Sequence, residues 1–189
     1  MSIKLHCEPG TLLAATPEML DPNFMHAVVL VCQHANEGAY GLVLNRRSEY
    51  TTRTLLSEHP TLGRYDHPIY VGGPVQLNSM QILHRAPDHI DGGVELVPGL
   101  WIGGELDHVA RFIAEQEATE DRVRLLVGYA GWGAGQLDAE LAGGSWVPAP
   151  CAPEDVFRRD PENLWRDVLR TIRGELEGLE NEPPAPEWN

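Results

Sequence analysis

The chain has 189 residues, 42% of them hydrophobic and 22% charged, a composition that excludes wholesale disorder. Its length suits one domain, because single cores stop growing near roughly 250–300 residues. Lys plus Arg number 14 against 28 Asp plus Glu, for a formal charge of -14. An acidic surface of this kind repels phosphate backbones and anionic lipid, so direct nucleic-acid binding and membrane association are not expected.

No apolar run approaches the roughly 20 residues that a bilayer-spanning helix needs. The opening Met1-Ser2-Ile3-Lys4-Leu5-His6-Cys7 lacks the apolar stretch and small-residue cleavage site of a secretory signal. Cys7, Cys32 and Cys151 are widely spaced and form no CxxC pair, which disfavours a disulfide framework or a zinc knuckle. The expected compartment is the cytoplasm, and the spacing of residues asks for no cofactor or metal.

In chain order, residues 11–15 read as a strand ended by Thr16-Pro17, and Asp21-Pro22-Asn23-Phe24 as a turn. Residues 27–32 are continuously apolar and β-branched, the pattern of a strand covered on both faces. Asn36-Glu37-Gly38 then turns the chain into a second strand at 40–45, making a hairpin. A short helix is expected at 52–59, before Pro60. Strands follow at 69–71 and 81–84, separated by Gly72-Gly73-Pro74, where the backbone path must be tight. Residues 94–102 divide into two strand pieces around Pro98-Gly99. A helical stripe begins at Leu106, a buried strand runs over 122–129, and residues 130–135 form a glycine-rich loop before a short helix at 136–141. The last helix spans about 161–179 and carries Leu164, Trp165, Val168, Leu169, Ile172 and Leu176 on one face. Strands and helices alternate without a βαβ rhythm, which predicts a single-domain α+β fold. Residues 1–9 read as an N-terminal extension, 10–180 as the domain and 181–189 as a flexible tail.

Candidate chemistry concentrates at few places. A strand, a glycine loop and a helix start can cradle an anion with free backbone N–H groups. Gly131, Gly133 and Gly135 miss the GxGxxG spacing, however, since Gln136 occupies the last glycine's place. Their plainer role is to let the chain bend around Trp132, with Phe24 from the Asp-Pro turn as its cover. Cys32 and His34 lie two apart on a strand and should share a face, as a reactive thiolate pair would. His84 could face His34 across a pocket, though the histidines show no HExxH or HxH spacing.

Taken together, Asp21-Pro22-Asn23-Phe24, His34 with Asn36-Glu37-Gly38-Ala39, Gly41-Leu42-Val43-Leu44-Asn45 and Tyr70-Val71-Gly72-Gly73-Pro74-Val75 form an ordered set of blocks. Leu83-His84, the run Gly128-Tyr129-Ala130-Gly131-Trp132-Gly133-Ala134-Gly135-Gln136-Leu137, Glu140 and Trp146 complete it. In these blocks the chain resembles the YqgE/AlgH family of bacterial proteins, from about residue 10 to about residue 172. It departs from the family at Arg46-Arg47 and at both ends. The resemblance implies a cytosolic α+β fold whose mixed strands curl towards a small barrel flanked by helices. It implies no reaction, and one branch carries the label of a transcriptional regulator of alginate production.

The expected function is a non-enzymatic binding or regulatory module that contacts a protein or a small anionic ligand. The alternative is an enzyme or anion binder built from Asn23, His34, Asn45, His84, Gly131, Gly133, Gly135 and Gln136.

Overall fold

The computed structural model describes residues 7–180. Residues 1–6 of the expected extension, the expected tail at 181–189 and the side chain of Leu176 lie outside what is described. The strands are β1 (Thr11–Ala15), β2 (Val28–Ala35), β3 (Gly38–Val43), β4 (Arg47–Thr51), β5 (Pro68–Val71), β6 (Val75–His84), β7 (Gly93–Val97), β8 (Leu100–Gly103), β9 (Val123–Gly133) and β10 (Trp146–Pro150). The helices are α1 (Thr52–Leu55), α2 (Leu106–Glu115), α3 (Gln136–Ala142), α4 (Pro153–Val156) and α5 (Leu164–Glu180). One ten-stranded sheet runs in the order β10-β1-β2-β3-β9-β6-β8-β7, with β5 joining β9 and β4 pairing with β5. All pairings are antiparallel except β5 with β9. The fold is α+β, and the sheet curls into a half-barrel.

The curl comes from β9, which pairs with three strands along its length. Residues 125–127 lie beside β5, residues 123–129 beside β6, and residues 130–133 beside β3. No flat strand can serve so many neighbours, and the bend sits at Gly128, whose φ is +71°. There the backbones of two segments touch. A Cβ on Gly128 would meet the Gly73 carbonyl at 2.3 Å, and one on Gly73 would meet the Tyr129 carbonyl carbon at 2.1 Å. The close approach expected of Gly72-Gly73-Pro74 is this crossing.

The bend also exchanges faces. Before it, odd-numbered Val123 and Leu125 pack outward under α2 while Leu126 points into the concave core. Beyond it, Tyr129 points into the concave core, while Ala130 and Trp132 face α3. β2 makes a similar exchange, because Val31 pairs with Gly41 and Gln33 with Tyr40, leaving an extra residue in a β-bulge. Cys32 packs with the concave core while His34 reaches Cys7 and α3. The expectation that Cys32 and His34 share a face is therefore corrected: strict alternation fails across a bulge.

The concave core holds Leu12, Leu30, Leu42, Leu83, Leu126 and other fully buried side chains, closed over by α4 and α5. The stripe of α5 does pack on the sheet, but Leu164 and Val168 are its buried anchors, and Trp165 and Leu169 are only partly covered. The Trp165 indole donates to the Ala15 carbonyl at 2.7 Å and rests on His26 with ring centroids 4.2 Å apart. Trp165→Ala should cost about 2 kcal/mol, less than a fully buried aromatic, through lost packing and one hydrogen bond. A urea unfolding midpoint unchanged from wild type would show that the indole contributes nothing.

Three elements escape the sequence reading. β4 is short and polar, β10 carries Pro148 and Pro150, and α4 is a single turn. β10 tolerates its prolines because it is an edge strand, paired only to β1. β6 begins six residues earlier than expected and bulges between Val75 and Met80.

Candidate functional site

The sequence singles out residues that the fold keeps apart. Asn23 sits in the exposed turn at residues 21–25, where its backbone N–H donates to the Asp21 carboxylate at 2.8 Å. Asn45 is a clamp: its Oδ1 accepts from the Val28 N–H at 2.9 Å and its Nδ2 donates to the His26 carbonyl at 2.8 Å. His34 lies 2.7 Å from the Cys7 carbonyl through Nδ1 and 3.4 Å from Asp138 through Nε2. His84 is fully buried at the far end of β6, among Gly93, Gly104 and Trp101. Burial lowers its pKa, and its Nε2 has no partner among the described residues. His34 contacts Cys7 and Asp138 while His84 is sealed beside Gly93, Gly104 and Trp101, so the pocket expected between them is corrected.

The anion cradle is also corrected. Gly131 and Gly133 belong to strand β9 and not to a loop. The Gly133 N–H is already taken by the Gln136 side-chain oxygen at 3.0 Å. Only Gly135 has a positive φ, at +70°. A Cβ at Gly131 or Gly133 would meet nothing nearer than 3.4 Å, so neither position demands glycine, contrary to the expected bend.

The expected meeting of this segment with the Asp-Pro turn does occur. Phe24 stacks on Trp132 at 6.3 Å between centroids and meets Trp146 edge-on at 5.6 Å. Both indole N–H groups, from Trp132 at 2.9 Å and Trp146 at 2.8 Å, converge on one oxygen of Glu140. The other Glu140 oxygen accepts from Gln136 at 2.9 Å. Glu140 thus lies at the polar centre of an aromatic knot that fastens α3 to the sheet. Glu140→Ala should cost about 2 kcal/mol, because two indole donors lose their shared acceptor, and Glu140→Gln should recover part of it. Equal unfolding midpoints for wild type and Glu140→Ala would refute this role.

None of the cysteines is tuned for nucleophilic chemistry. Burial pushes the Cys7 thiol up to about 11 and the Cys151 thiol up to about 12, and raises Cys32 further. Among the described residues, no three His, Cys, Asp or Glu side chains are grouped to hold a metal ion.

A surface concavity lies elsewhere among the described residues. A cleft of about 590 Å³ is lined by Arg47, Tyr65, Asp66, His67, Ile113, Ala118, Thr119, Glu120 and Arg159. Arg47 starts β4, His67 leads into β5, Thr119 and Glu120 lie on the turn before β9, and Arg159 follows α4. Asp66 is held by Arg53 at 2.9 Å and by Thr51, and Arg159 reaches Asp121 at 2.7 Å. Arg47 makes no side-chain hydrogen bond or ion pair among the described residues.

Behind the cleft wall lies Arg124, 2% exposed and in no direct ion pair among the described residues, though the Glu120 charge acts on it. It donates to the carbonyls of Leu44 at 3.1 Å and Arg158 at 2.9 Å, and lies over the Tyr70 ring at 4.0 Å. Burial lowers its pKa to about 10. His67 is 5% exposed, and its Nε2 donates to the Val123 carbonyl at 3.2 Å while Nδ1 accepts from the Thr119 hydroxyl at 3.3 Å. Burial, with Arg124 and Arg47 adding positive charge nearby, depresses its pKa to about 4. Sequence reasoning passed over Arg47 as a departure from the family and overlooked His67 and Thr119. The only signal was His67-Pro68 opening an apolar strand, which does not mark a site.

Comparison with other proteins agrees with this architecture. Residues 12–177 match the AlgH-like family. A UPF0301 protein of Chlorobaculum tepidum is 39% identical over 182 residues, covering 96% of each chain. A UPF0301 protein of Chlorobium luteolum is 36% identical, covering 95% of this chain and 94% of that one. Among solved structures, the AlgH protein of Pseudomonas aeruginosa superimposes with a TM-score of 0.68 at 30% identity, covering 95% of both chains. Protein DIP2367 of Corynebacterium diphtheriae gives 0.72 at 25% identity, over 88% of this chain and 87% of that one. With its matched residues spanning nearly the whole sheet and its neighbours sharing the fold, the chain belongs to the AlgH-like family.

Proposed function

We propose that the protein is a non-enzymatic binding module whose ligand enters the Arg47–Arg159 cleft. One contrast carries the reading. The polar side chains expected to do chemistry at Asn45, His34 and Gln136 are spent on backbone and neighbouring groups, whereas Arg47 faces an open cleft with no partner of its own among the described residues. An exposed guanidinium without a carboxylate partner in a concavity is free to meet an anionic group of a ligand. A regulatory role of such a module would act through the liganded cleft and protein contacts, since a net charge of -14 disfavours duplex DNA.

A thermal-shift screen of small anionic and zwitterionic metabolites tests this reading. At least one compound should raise the melting temperature of wild type by several degrees, as expected for ligand well above its Kd. The shift should vanish in Arg47→Glu. A shift that survives in Arg47→Glu, or turnover of the bound compound, would contradict the reading.

A further inference from the structure

The cleft is lined by two guanidiniums, Arg47 and Arg159, and two carboxylates, Asp66 and Glu120, and Arg124 stands buried behind it. Four guanidiniums, Arg47, Arg53, Arg124 and Arg159, stand in or against it, facing three carboxylates, Asp66, Glu120 and Asp121. Two of the carboxylates are consumed by Arg53 and Arg159, which leaves Arg47 and Arg124 opposed by Glu120 alone. In a chain with a formal charge of -14, a cleft whose carboxylates are matched by guanidiniums and that leaves Arg47 without an ion pair among the described residues is a place that can accommodate an anion. Arg47 contributes an open fork for an oxyanion, and Thr119, whose hydroxyl is bonded to His67, lines the same cleft.

That hydroxyl is connected to His67. With the ring neutral, Nε2–H is fixed on the Val123 carbonyl, so Nδ1 is the acceptor and the Thr119 hydrogen points at it. If the ring takes up a proton from solvent, Nδ1 becomes a donor to Thr119 Oγ. The hydroxyl hydrogen is then released and can donate into the cleft. Both ring nitrogens keep their partners through the exchange. The charged groups acting on His67 are Arg124 on β9 and Arg47 on β4; Asp66, tied to Arg53 of α1, and Glu120, on the turn before β9, line the same cleft, and Asp121 beside Glu120 is tied to Arg159. The element α2 presents only Ile113 to the cleft.

We propose that the cleft between Arg47, Thr119 and Arg159 binds an oxyanion, a carboxylate or phosphate-type group, and that His67 couples this binding to proton uptake through the Thr119 hydroxyl. The proposal rests on the reading of the cleft as the binding site and names what it binds. Bound negative charge offsets the repulsion among Arg47, Arg124 and protonated His67, so anion and proton each favour the other by the same factor.

The experiment follows the His67 ring by NMR across pH 4–8 in chloride, sulfate and acetate at matched ionic strength. Sulfate does not titrate in this range, so any coupling belongs to the protein. In sulfate the His67 midpoint should rise by about one pH unit, which corresponds to about tenfold tighter binding to the protonated form. Arg47→Gln should abolish the rise. Thr119→Val should still bind sulfate at Arg47 but show a clearly smaller rise in the His67 midpoint, because only the Coulombic share of the coupling remains. An effect of sulfate without acetate marks a tetrahedral phosphate-type ligand, and an effect of acetate marks a carboxylate. Equal movement of every histidine would mean screening alone and would overturn the proposal. So would anion binding in the cleft with His67 unmoved, or no perturbation of the cleft by either anion. If both anions fail while a metabolite still stabilises the protein through Arg47, the oxyanion inference falls alone. If neither anion nor metabolite acts, the cleft reading falls with it.

Discussion

Gly73→Ala should lower the melting temperature by about 8–16 °C, whereas Gly133→Ala should leave it within about 2 °C of wild type. At Gly73 the backbone has a φ of +153°, which L-residues rarely adopt, and the added methyl would sit 2.1–2.4 Å from three backbone atoms of residues 129 and 130. Those atoms belong to β9 and cannot rotate away as a side chain can. Backbone strain of about 1–3 kcal/mol and overpacking of a similar size add to about 4 kcal/mol, a large share of the roughly 5–15 kcal/mol that holds a domain folded. At about 2–4 °C per kcal/mol for a chain of this size, that loss sets the expected shift. Gly133 faces open space with its nearest contact the flexible Gln136 oxygen at 3.8 Å, so a methyl there is tolerated. Differential scanning calorimetry of both variants decides the matter. If Gly133→Ala falls as far as Gly73→Ala, the account of β9 as a bent strand with an open end is wrong.

The same two glycines show what the sequence could and could not disclose. Continuous apolar runs made β1, β2 and the first half of β9 readable, and Pro98-Gly99 marked the β7–β8 hairpin, where Gly99 adopts a φ of +83°. Gly72-Gly73 was readable as a tight passage, but its partner at Gly128 was not, because the contact joins segments more than fifty residues apart. Side-chain faces were the least legible property. An alternation rule predicts them only while the pleat is regular, and the bulge near Cys32 and the bend at Gly128 each reverse the sides. Both reversals redistribute the expected site: His34 goes to α3 while Cys32 goes inward. Glu140 and the Phe24–Trp132–Trp146 knot were partly legible, since an indole needs cover and an acceptor. The Arg47 cleft was not, because its residues come from five separated segments of ordinary composition.

Acidification from pH 7 to pH 4, in a buffer free of oxyanions, should remove about 3 kcal/mol of stability through His67. Its folded-state pKa is depressed from 6.5 to about 4, chiefly by burial and then by Arg124 and Arg47, while in the unfolded chain it returns to about 6.5. Above pH 6.5 the ring is neutral in both states and contributes no pH dependence. Below it, the unfolded chain gains a proton that the folded ring refuses, so stability falls until about pH 4 and then levels off. The 2.5-unit gap corresponds to about 3 kcal/mol. His84, also depressed by burial, acts in the same direction. The carboxylates held low by arginine partners, such as Asp160 at about 2 beside Arg158, lose their contribution only below their ordinary range and leave the window from 6.5 to 4 to the histidines. Urea unfolding at half-unit pH intervals measures the slope, and the NMR midpoint of the His67 ring identifies its source without any variant. A ring that titrates near 6.5 in the folded protein would remove both the slope and the buried, cation-flanked environment from which it is argued.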